Sequence, residues 1–385
     1  MNTIPINDPV RVYRRLQGDI DAAIAQVVSS GRWIGGPFTD QFATRFAAWC
    51  GVARCVPLGN VTDALELALR ALGVGLGDEV ITVANAGGFA TAACRLVGAT
   101  PVWIDVRADT LGLDTDWIAK AISERTKVVV ATHLYGLAVD VVEIRRVLDR
   151  IGRSDVRILE DCAQAHGAIR NGRKAGSFGD IAAFSFYPTK NLGALGNAGA
   201  VVTNDEELAD RVSSLRFYGF RQAFHRELPF GRNSRIDEIQ AAVLCVKLAH
   251  VDEWNAERRR IFSQYSAAAG IFVNMVGAPA PSNVCHLAIL RTPDREAAQR
   301  VMSDAGIATA IHYPVLDCDQ SGESGLPGRK LPLRVSEKAR SEILSLPCYP
   351  GLTRQEIERI AEVLTRLSAV PSQTPSDRPG IGSSR

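Results

Sequence analysis

Short apolar runs of strand length alternate with helical patterns along the first half of this 385-residue chain, and that rhythm limits the fold more than any other feature. ARCVPLG (53–59) precedes a helical pattern at about 62–72, and EVITVA (79–84) precedes ATAACRLVG (90–98). TPVWIDV (100–106) precedes DTDWIAKAIS (114–123), and KVVVATHLY (127–135) precedes VVEIRRVLDR (141–150), before DVRILED (155–161). Such alternation builds βα units around a mostly parallel sheet, so the expected class is α/β. The runs are nearly continuous in Val, Ile and Leu, which suits strands covered on both faces. DIAAFSFY (180–187) and AGAVVTND (198–205) are two more strands with no room for a helix between them. A helix is expected at about 235–250, where Ile236, Ile239, Val243 and Leu244 recur at helical spacing.

After about residue 252 the pattern changes. EWNAERRRIFSQYSAAA reads as a long helix that leads into a smaller α+β unit. GESGLPGRKLP (322–332) reads as a loop, and PSQTPSDRPGIGSSR (371–385) as a disordered tail without apolar periodicity. The expected division is a large domain over 1–250 and a small C-terminal domain over 251–370. The 44 basic and 42 acidic residues nearly cancel, which argues against nucleic acid or a membrane surface as partner. The longest apolar runs, such as VVVAT (128–132), are too short to span a bilayer. The N-terminus lacks a charged start followed by an apolar stretch, so a cytoplasmic location is expected. Eight cysteines without a CxxC pair read as reduced thiols, and six histidines without an HExxH pair give no reason to expect a metal.

Parallel sheets bind ligands at the carboxyl ends of their strands. Three polar clusters fall at such ends. In GNVTD (59–63), Asp63 with Glu66 resembles a capping pair, and the free N–H groups of a helix start favour a phosphate. In EDCAQAHGA (160–168), Asp161 closes an apolar strand, so its carboxylate needs a cationic or donor partner. In SFYPTKNLGALG (185–196), Ser185 closes a strand and Lys190 follows on a loop at the same edge. Partial desolvation there would lower the lysine's pKa and make it a nucleophilic amine. Each cluster alone has a plainer reading: a capped helix, a salt bridge to some arginine, an exposed lysine. Together they are the parts that hold pyridoxal phosphate. One end needs a phosphate cradle, the aldehyde an amine, and the pyridine nitrogen an acid that keeps it protonated.

The strings GNVTDALELALRALGVGLGDEVIT, HLYG, EDCAQAHGA, GSFGDIAAFSFYPTKNLGALGNAGAVVTND, NSRIDEIQAAVL, EWNAERRR and IHYP occur in that order between about residues 30 and 365. In them the chain strongly resembles the DegT/DnrJ/EryC1/StrS family of pyridoxal-phosphate-dependent sugar aminotransferases. That family has fold type I, the aspartate aminotransferase-like fold of a large, mostly parallel-sheet domain and a smaller C-terminal α+β domain. The resemblance implies that Lys190 carries the cofactor and that Asp161 pairs with its pyridine nitrogen. It places Gln164 at the ring's 3′ oxygen, Phe89 on the ring face, and Ser185, Val61 and Thr62 around the phosphate. It also implies a homodimer with shared active sites, in which Asn233 reaches the phosphate of the partner's site, with Trp33, His312 and Tyr313 near the substrate. The reaction implied is a two-step transfer from an amino acid, L-glutamate, to a nucleotide-linked keto-hexose in amino-sugar and polysaccharide biosynthesis. Tyr135 and His166 are expected to be structural.

Three stretches depart from the family pattern. Val61 stands where the family has a glycine, and a valine disfavours positive φ. The usual PxFTF segment is VANAGGFAT (83–91), and after IHYP the chain continues VLDCDQSGESG. Four rival readings remain. A dehydratase of the same fold would carry histidine where Lys190 stands. A keto-inositol aminotransferase, or a non-catalytic pyridoxal-phosphate-binding regulator, would share these motifs. A nicotinamide-dependent enzyme would need a glycine-rich turn from strand to helix, whereas GVGLGD (73–78) runs from helix to strand.

Overall fold

Eight strands form one sheet in the computed structural model, which describes residues 3–222, 224–270 and 273–369. Their order across the sheet is Arg54–Leu58, Gly199–Thr203, Ile181–Ser185, Arg157–Asp161, Thr126–Thr132, Glu79–Val83, Thr100–Ile104 and Arg329–Lys330. From Ile181–Ser185 onward every neighbouring pair is parallel. Gly199–Thr203 runs antiparallel to both of its neighbours. That exception follows from the sequence, because a parallel return needs a crossover and none fits between the two strands. The loop joining Ser185 to Gly199 therefore stays at the carboxyl edge of the parallel strands, beside Asp161.

Successive strand residues face opposite sides. Val80, Val128, Val130 and Leu159 pack with Leu65, Leu69 and Cys94 of the helices Val61–Ala71 and Phe89–Val97. Ile81, Val129 and Ala131 pack with Ile144 and Leu148 of the helix Val141–Arg150 on the other face. The continuous apolar character of these strands is explained by that double cover.

A second, antiparallel sheet of Asn274–Met275, Ala288–Arg291 and Ile343–Leu346 follows. Its residues Leu290 and Leu344 share a core with Ile261 and Phe262 of the helix Val251–Ala268, and with Met302 and Ile360. We propose the division into 1–250 and 251–370 on this basis, with backbone pairings that cross it. Ile4 bridges Ile307, and Arg329–Lys330 adds a parallel strand to the large sheet beside Val102 and Trp103. The expected tail, 371–385, lies outside the described residues. Among those residues no helix is long and apolar enough to cross a membrane.

Three local expectations are corrected. The segment 114–123 is not a ten-residue helix. A 3-10 turn, Thr115–Trp117, leads into only Ile118–Ala121, because Ile122 turns extended and Ser123 N–H bonds to Thr126 Oγ1 instead of continuing the ladder. The segment 322–332 is not wholly loop, since Arg329–Lys330 pairs with the sheet. The cap of the helix Val61–Ala71 is Asn60, whose side chain accepts Asp63 N–H, and not Asp63 itself. Asp63 and Glu66 instead receive Arg232, at 2.9 and 2.6 Å.

Candidate active site

A cavity of about 620 Å³ opens at the carboxyl edge of the large sheet. Val61, Thr62, Phe89, Asp161, Gln164, Ser185 and Lys190 all line it. They come from four separate stretches of sequence, and the parallel topology brings them to one edge.

The Lys190 loop is fastened on every side. Lys190 N–H donates to Tyr187 O at 2.9 Å and Ala194 N–H to Phe186 O at 2.8 Å. Asn191 Nδ2 donates to Asn255 Oδ1 and Val284 O, while its Oδ1 meets His286 Nδ1 at 3.0 Å. Lys247 Nζ donates to Gly193 O at 2.7 Å, and Asn7 Nδ2 to Thr189 O at 3.2 Å. Gly193 is required here, since a Cβ would stand 2.5 Å from Pro188 O. Lys190 itself is half-buried because it faces the open cavity. Desolvation pushes its ammonium down to about 8, and Asp161 raises it part of the way back. Its amine has no hydrogen-bond partner among the described residues.

Asp161 is buried at the end of its strand. Its Oδ1 accepts Ala163 N–H at 3.1 Å, whereas Oδ2 has no donor among the described residues. Burial pushes its pKa up, and the Ala163 amide and Lys190 oppose that shift. Thr132 is its register partner on the adjacent strand and also lines the cavity. The Thr132 hydroxyl is buried without a hydrogen-bond partner among the described residues.

At the other end, Asn60 is extended and Val61 begins the helix. No positive φ is needed, which is why a valine is tolerated in place of glycine. The N–H groups of Val61 and Thr62 belong to the first turn and have no intrahelical acceptor. Gly199 supports this turn from below, where a Cβ would lie 2.5 Å from the Asn60 carbonyl. The Ser185 hydroxyl lines the same space.

Gln164 is held in one orientation. Its Oε1 accepts Tyr135 N–H at 2.6 Å, and its Nε2 donates to Tyr313 Oη at 3.2 Å. Tyr135, at φ 63°, also donates its hydroxyl to His312 O at 2.7 Å. Tyr313 stands behind the lining, edge-on to Phe89 at 6.2 Å between ring centroids. His312 is tied through Nδ1 to Ser345 Oγ at 2.8 Å, and burial and Lys190 lower its pKa. His166 is wholly buried near Phe184 and Phe186, and burial pushes it down to about 3. Neutral at working pH, it shapes the loop after Asp161.

Four expected site residues do not line the cavity of this single chain: His312 and Tyr313 stand behind it, and Asn233 and Trp33 lie elsewhere. Asn233 is exposed, bridged to Phe217, and its Oδ1 accepts Arg235 Nε at 3.1 Å. Trp33 is 61% exposed, and its carbonyl accepts Glu238 N–H. Conversely, Thr132, Tyr187 and Asn197 line the cavity without having been singled out in the sequence. Tyr187 and Asn197 flank the lysine loop, so proximity to Lys190 was the one available signal.

His133, Glu160 and Cys162 lie together nearby, but their groups are engaged. His133 Nδ1 accepts Val139 N–H, so its Nε2 carries the proton and donates to Glu160 at 2.9 Å. Glu160 also accepts the amides of Gly176, Phe178 and Gly179. No lone pair is left on the imidazole for a cation.

These features fit pyridoxal phosphate: an unpartnered amine, a free carboxylate oxygen, a helix start with open N–H groups, and an aromatic wall. The fold and cavity define a pyridoxal-phosphate-dependent transferase of fold type I. The chain belongs to the DegT/DnrJ/EryC1/StrS aminotransferase family, which it matches over residues 14–365. It is 42% identical over 367 residues to a dTDP-3-amino-3,4,6-trideoxy-alpha-D-glucose transaminase of Streptomyces venezuelae, covering 94% of this chain and 95% of that one. It is 40% identical over 365 residues to a dTDP-3-amino-3,6-dideoxy-alpha-D-galactopyranose transaminase of Aneurinibacillus thermoaerophilus, covering 94% and 99%. An X-ray structure of S. venezuelae DesV superposes with a TM-score of 0.91 at 39% identity, covering 97% of this chain and 100% of that chain. It is a pyridoxal-phosphate-dependent sugar aminotransferase.

Proposed function

We propose that this chain moves an amino group from L-glutamate to a nucleotide-linked keto-hexose, with Lys190 as the amine that holds the cofactor and carries the proton. The observation that supports this most is the unpartnered Lys190 amine, lowered to about 8, in one cavity with the free oxygen of Asp161. When bound, pyridoxal phosphate supplies an electron sink for charge developing on the donor's α-carbon. Asp161 Oδ2, left without a donor, would accept from the ring nitrogen and keep it cationic. Lys190 would take the proton from the donor's α-carbon and deliver it to the cofactor's C4′ carbon, with the reverse transfer serving the acceptor. Val61 and Thr62 offer backbone N–H groups to the phosphate, and Thr62 and Ser185 add hydroxyls. Gln164 has its second Nε2 hydrogen left for the ring oxygen, because Tyr135 and Tyr313 use its other groups. Phe89 covers one ring face.

The nucleotide-linked acceptor is supported by the two relatives, both named for dTDP-linked 3-amino sugars. A 3-keto sugar is therefore the leading acceptor. L-Glutamate as donor rests on the family resemblance. A second copy of the chain would cover the exposed rings of Phe217, Tyr218, Phe224 and Phe230 and bring Asn233 to the phosphate end. His312 and Tyr313 would border the sugar from behind Phe89.

Reduction with borohydride after incubation with pyridoxal phosphate should leave a reduced adduct on Lys190, read by peptide mass. A panel of dTDP- and UDP-linked 3- and 4-keto sugars with glutamate should then yield 2-oxoglutarate with a 3-keto member. No adduct at Lys190, or an adduct with no turnover on any member, would overturn the reading.

A further inference from the structure

Two stretches that depart from the family pattern, 83–91 and 315–325, meet in the fold. Asp317 is the meeting point. Its N–H donates to Ala84 O at 2.7 Å, and Leu316 packs with Ala84, Trp103 and Leu333. Its side chain is fully buried at the start of the helix Phe89–Val97. That helix begins after Gly88, at φ 83°, and receives no cap from its own N-terminal residue. Asp317 faces the helix start instead. Its Oδ2 accepts the Thr91 hydroxyl at 3.4 Å, and Thr91 Oγ1 accepts the Trp103 indole N–H at 3.0 Å. Its Oδ1 has no hydrogen-bond partner among the described residues. Burial pushes the carboxyl up to about 7, while the amides of Gly88 and Gly87 draw it part of the way down.

The same turn is closed from its other side by Tyr313. Gly87, at φ 80°, has the Tyr313 ring where a Cβ would come within 2.8 Å of it. Two consecutive residues in the left-handed region are adopted readily only by glycine. Glycine also leaves the turn loose unless something clamps it. Tyr313 and Asp317 are that clamp, and what the turn delivers is Phe89 at the cavity wall. A half-satisfied buried acid is a costly way to cap a helix. Its position between Gly87, Gly88 and Thr91 gives it a second task.

We infer that Asp317 is a positioning residue: it holds the Gly87–Gly88 turn, and through it Phe89, against the cavity. The inference rests on Phe89 being a wall of the cofactor site. It does not depend on which substrate is used.

The test is hydrogen exchange of the backbone amides of 84–92 in the full chain, without and with pyridoxal phosphate. Asp317→Ala should speed exchange in this segment by about tenfold, the effect of losing one buried acceptor. The strands Thr126–Thr132 and Arg157–Asp161 should keep their protection. Asp317→Asn retains an acceptor oxygen and should restore slow exchange. The apparent Kd for pyridoxal phosphate, followed by absorbance, should rise in the Ala variant and recover in the Asn variant. Should Asp317→Ala not fold, Thr91→Val removes the donor hydroxyl and should loosen the same segment to a smaller degree. Unchanged exchange at 84–92 would overturn the inference. So would acceleration spread evenly over the chain in both Asp317 variants, which is the mark of a merely structural cap. Absence of transaminase activity in the unsubstituted protein would refute the proposed function and leave these exchange rates standing.

Discussion

Lys190 owes its chemistry to how little surrounds its amine. No acceptor takes its protons, and desolvation brings it to about 8. The neutral form reacts with an aldehyde, so acid conditions should protect it. Uptake of pyridoxal phosphate by the cofactor-free chain should slow below pH 8, by about tenfold per unit once the amine is mostly protonated. Stopped-flow absorbance across pH 6–9 checks this, and a flat profile would contradict it. In the proposed role, the charge of Asp161 is what keeps the ring nitrogen cationic. Asp161→Asn keeps its shape and the Ala163 contact, so the fold and reduction-trapped adduct should survive while turnover falls about 100- to 1,000-fold. Steady-state kinetics beside a thermal melt separates the two effects. Lys190, Asp161 and Ser185 were legible in the sequence because each sits at or just after a strand end within one stretch, 160–190, whereas Gln164 was named only through the family resemblance. Thr132 and Asp317 were not. Thr132 matters through its register with Asp161, and Asp317 through a contact spanning more than two hundred residues, which no local pattern encodes.

At the scale of elements, the cofactor's phosphate end depends on one close approach. Gly199 opens its strand directly under the Asn60–Val61 turn. Gly199→Ala must push that turn or the strand aside, costing about 1–3 kcal/mol of stability and weakening phosphate binding. Urea unfolding and a pyridoxal phosphate titration measure both, and pyridoxal without phosphate should bind the variant and the parent alike. The same elements show what sequence can and cannot reveal. The strands from 54 to 203 and the helix Val141–Arg150 were readable because their apolar runs are long enough to carry a period. The two residues of Arg329–Lys330 carry none. The helical pattern at 114–123 was real but lost to local hydrogen bonding at Ser123 and Thr126, a competition invisible to periodicity. The helix cap was misassigned by one turn because Asn60 and Asp63 are both capping residues, and only geometry shows which side chain reaches back.

At the scale of the whole molecule, the single chain leaves its aromatic residues in an odd place. Phe224 is 93% exposed and Phe230 70%, with Trp33 also outside, and Asn233 stands among them rather than in the cavity. Apolar area of this kind calls for a cover, and the proposed two-fold dimer would supply one, with each copy lending residues to the other. That arrangement has a consequence that simple dimerisation lacks. Lys190→Ala and Asn233→Ala should each be inactive or nearly so as separate proteins. Unfolded together and refolded as a mixture, half of the dimers would be mixed, and each mixed dimer would hold one site with both residues intact. About a quarter of the parental activity should return. If Lys190 and Asn233 of the same chain served one site, every mixed dimer would carry a defect in both sites, and mixing would restore nothing. Sedimentation of the mixture shows that dimers formed, so a failure to recover activity would count against shared sites and not against refolding.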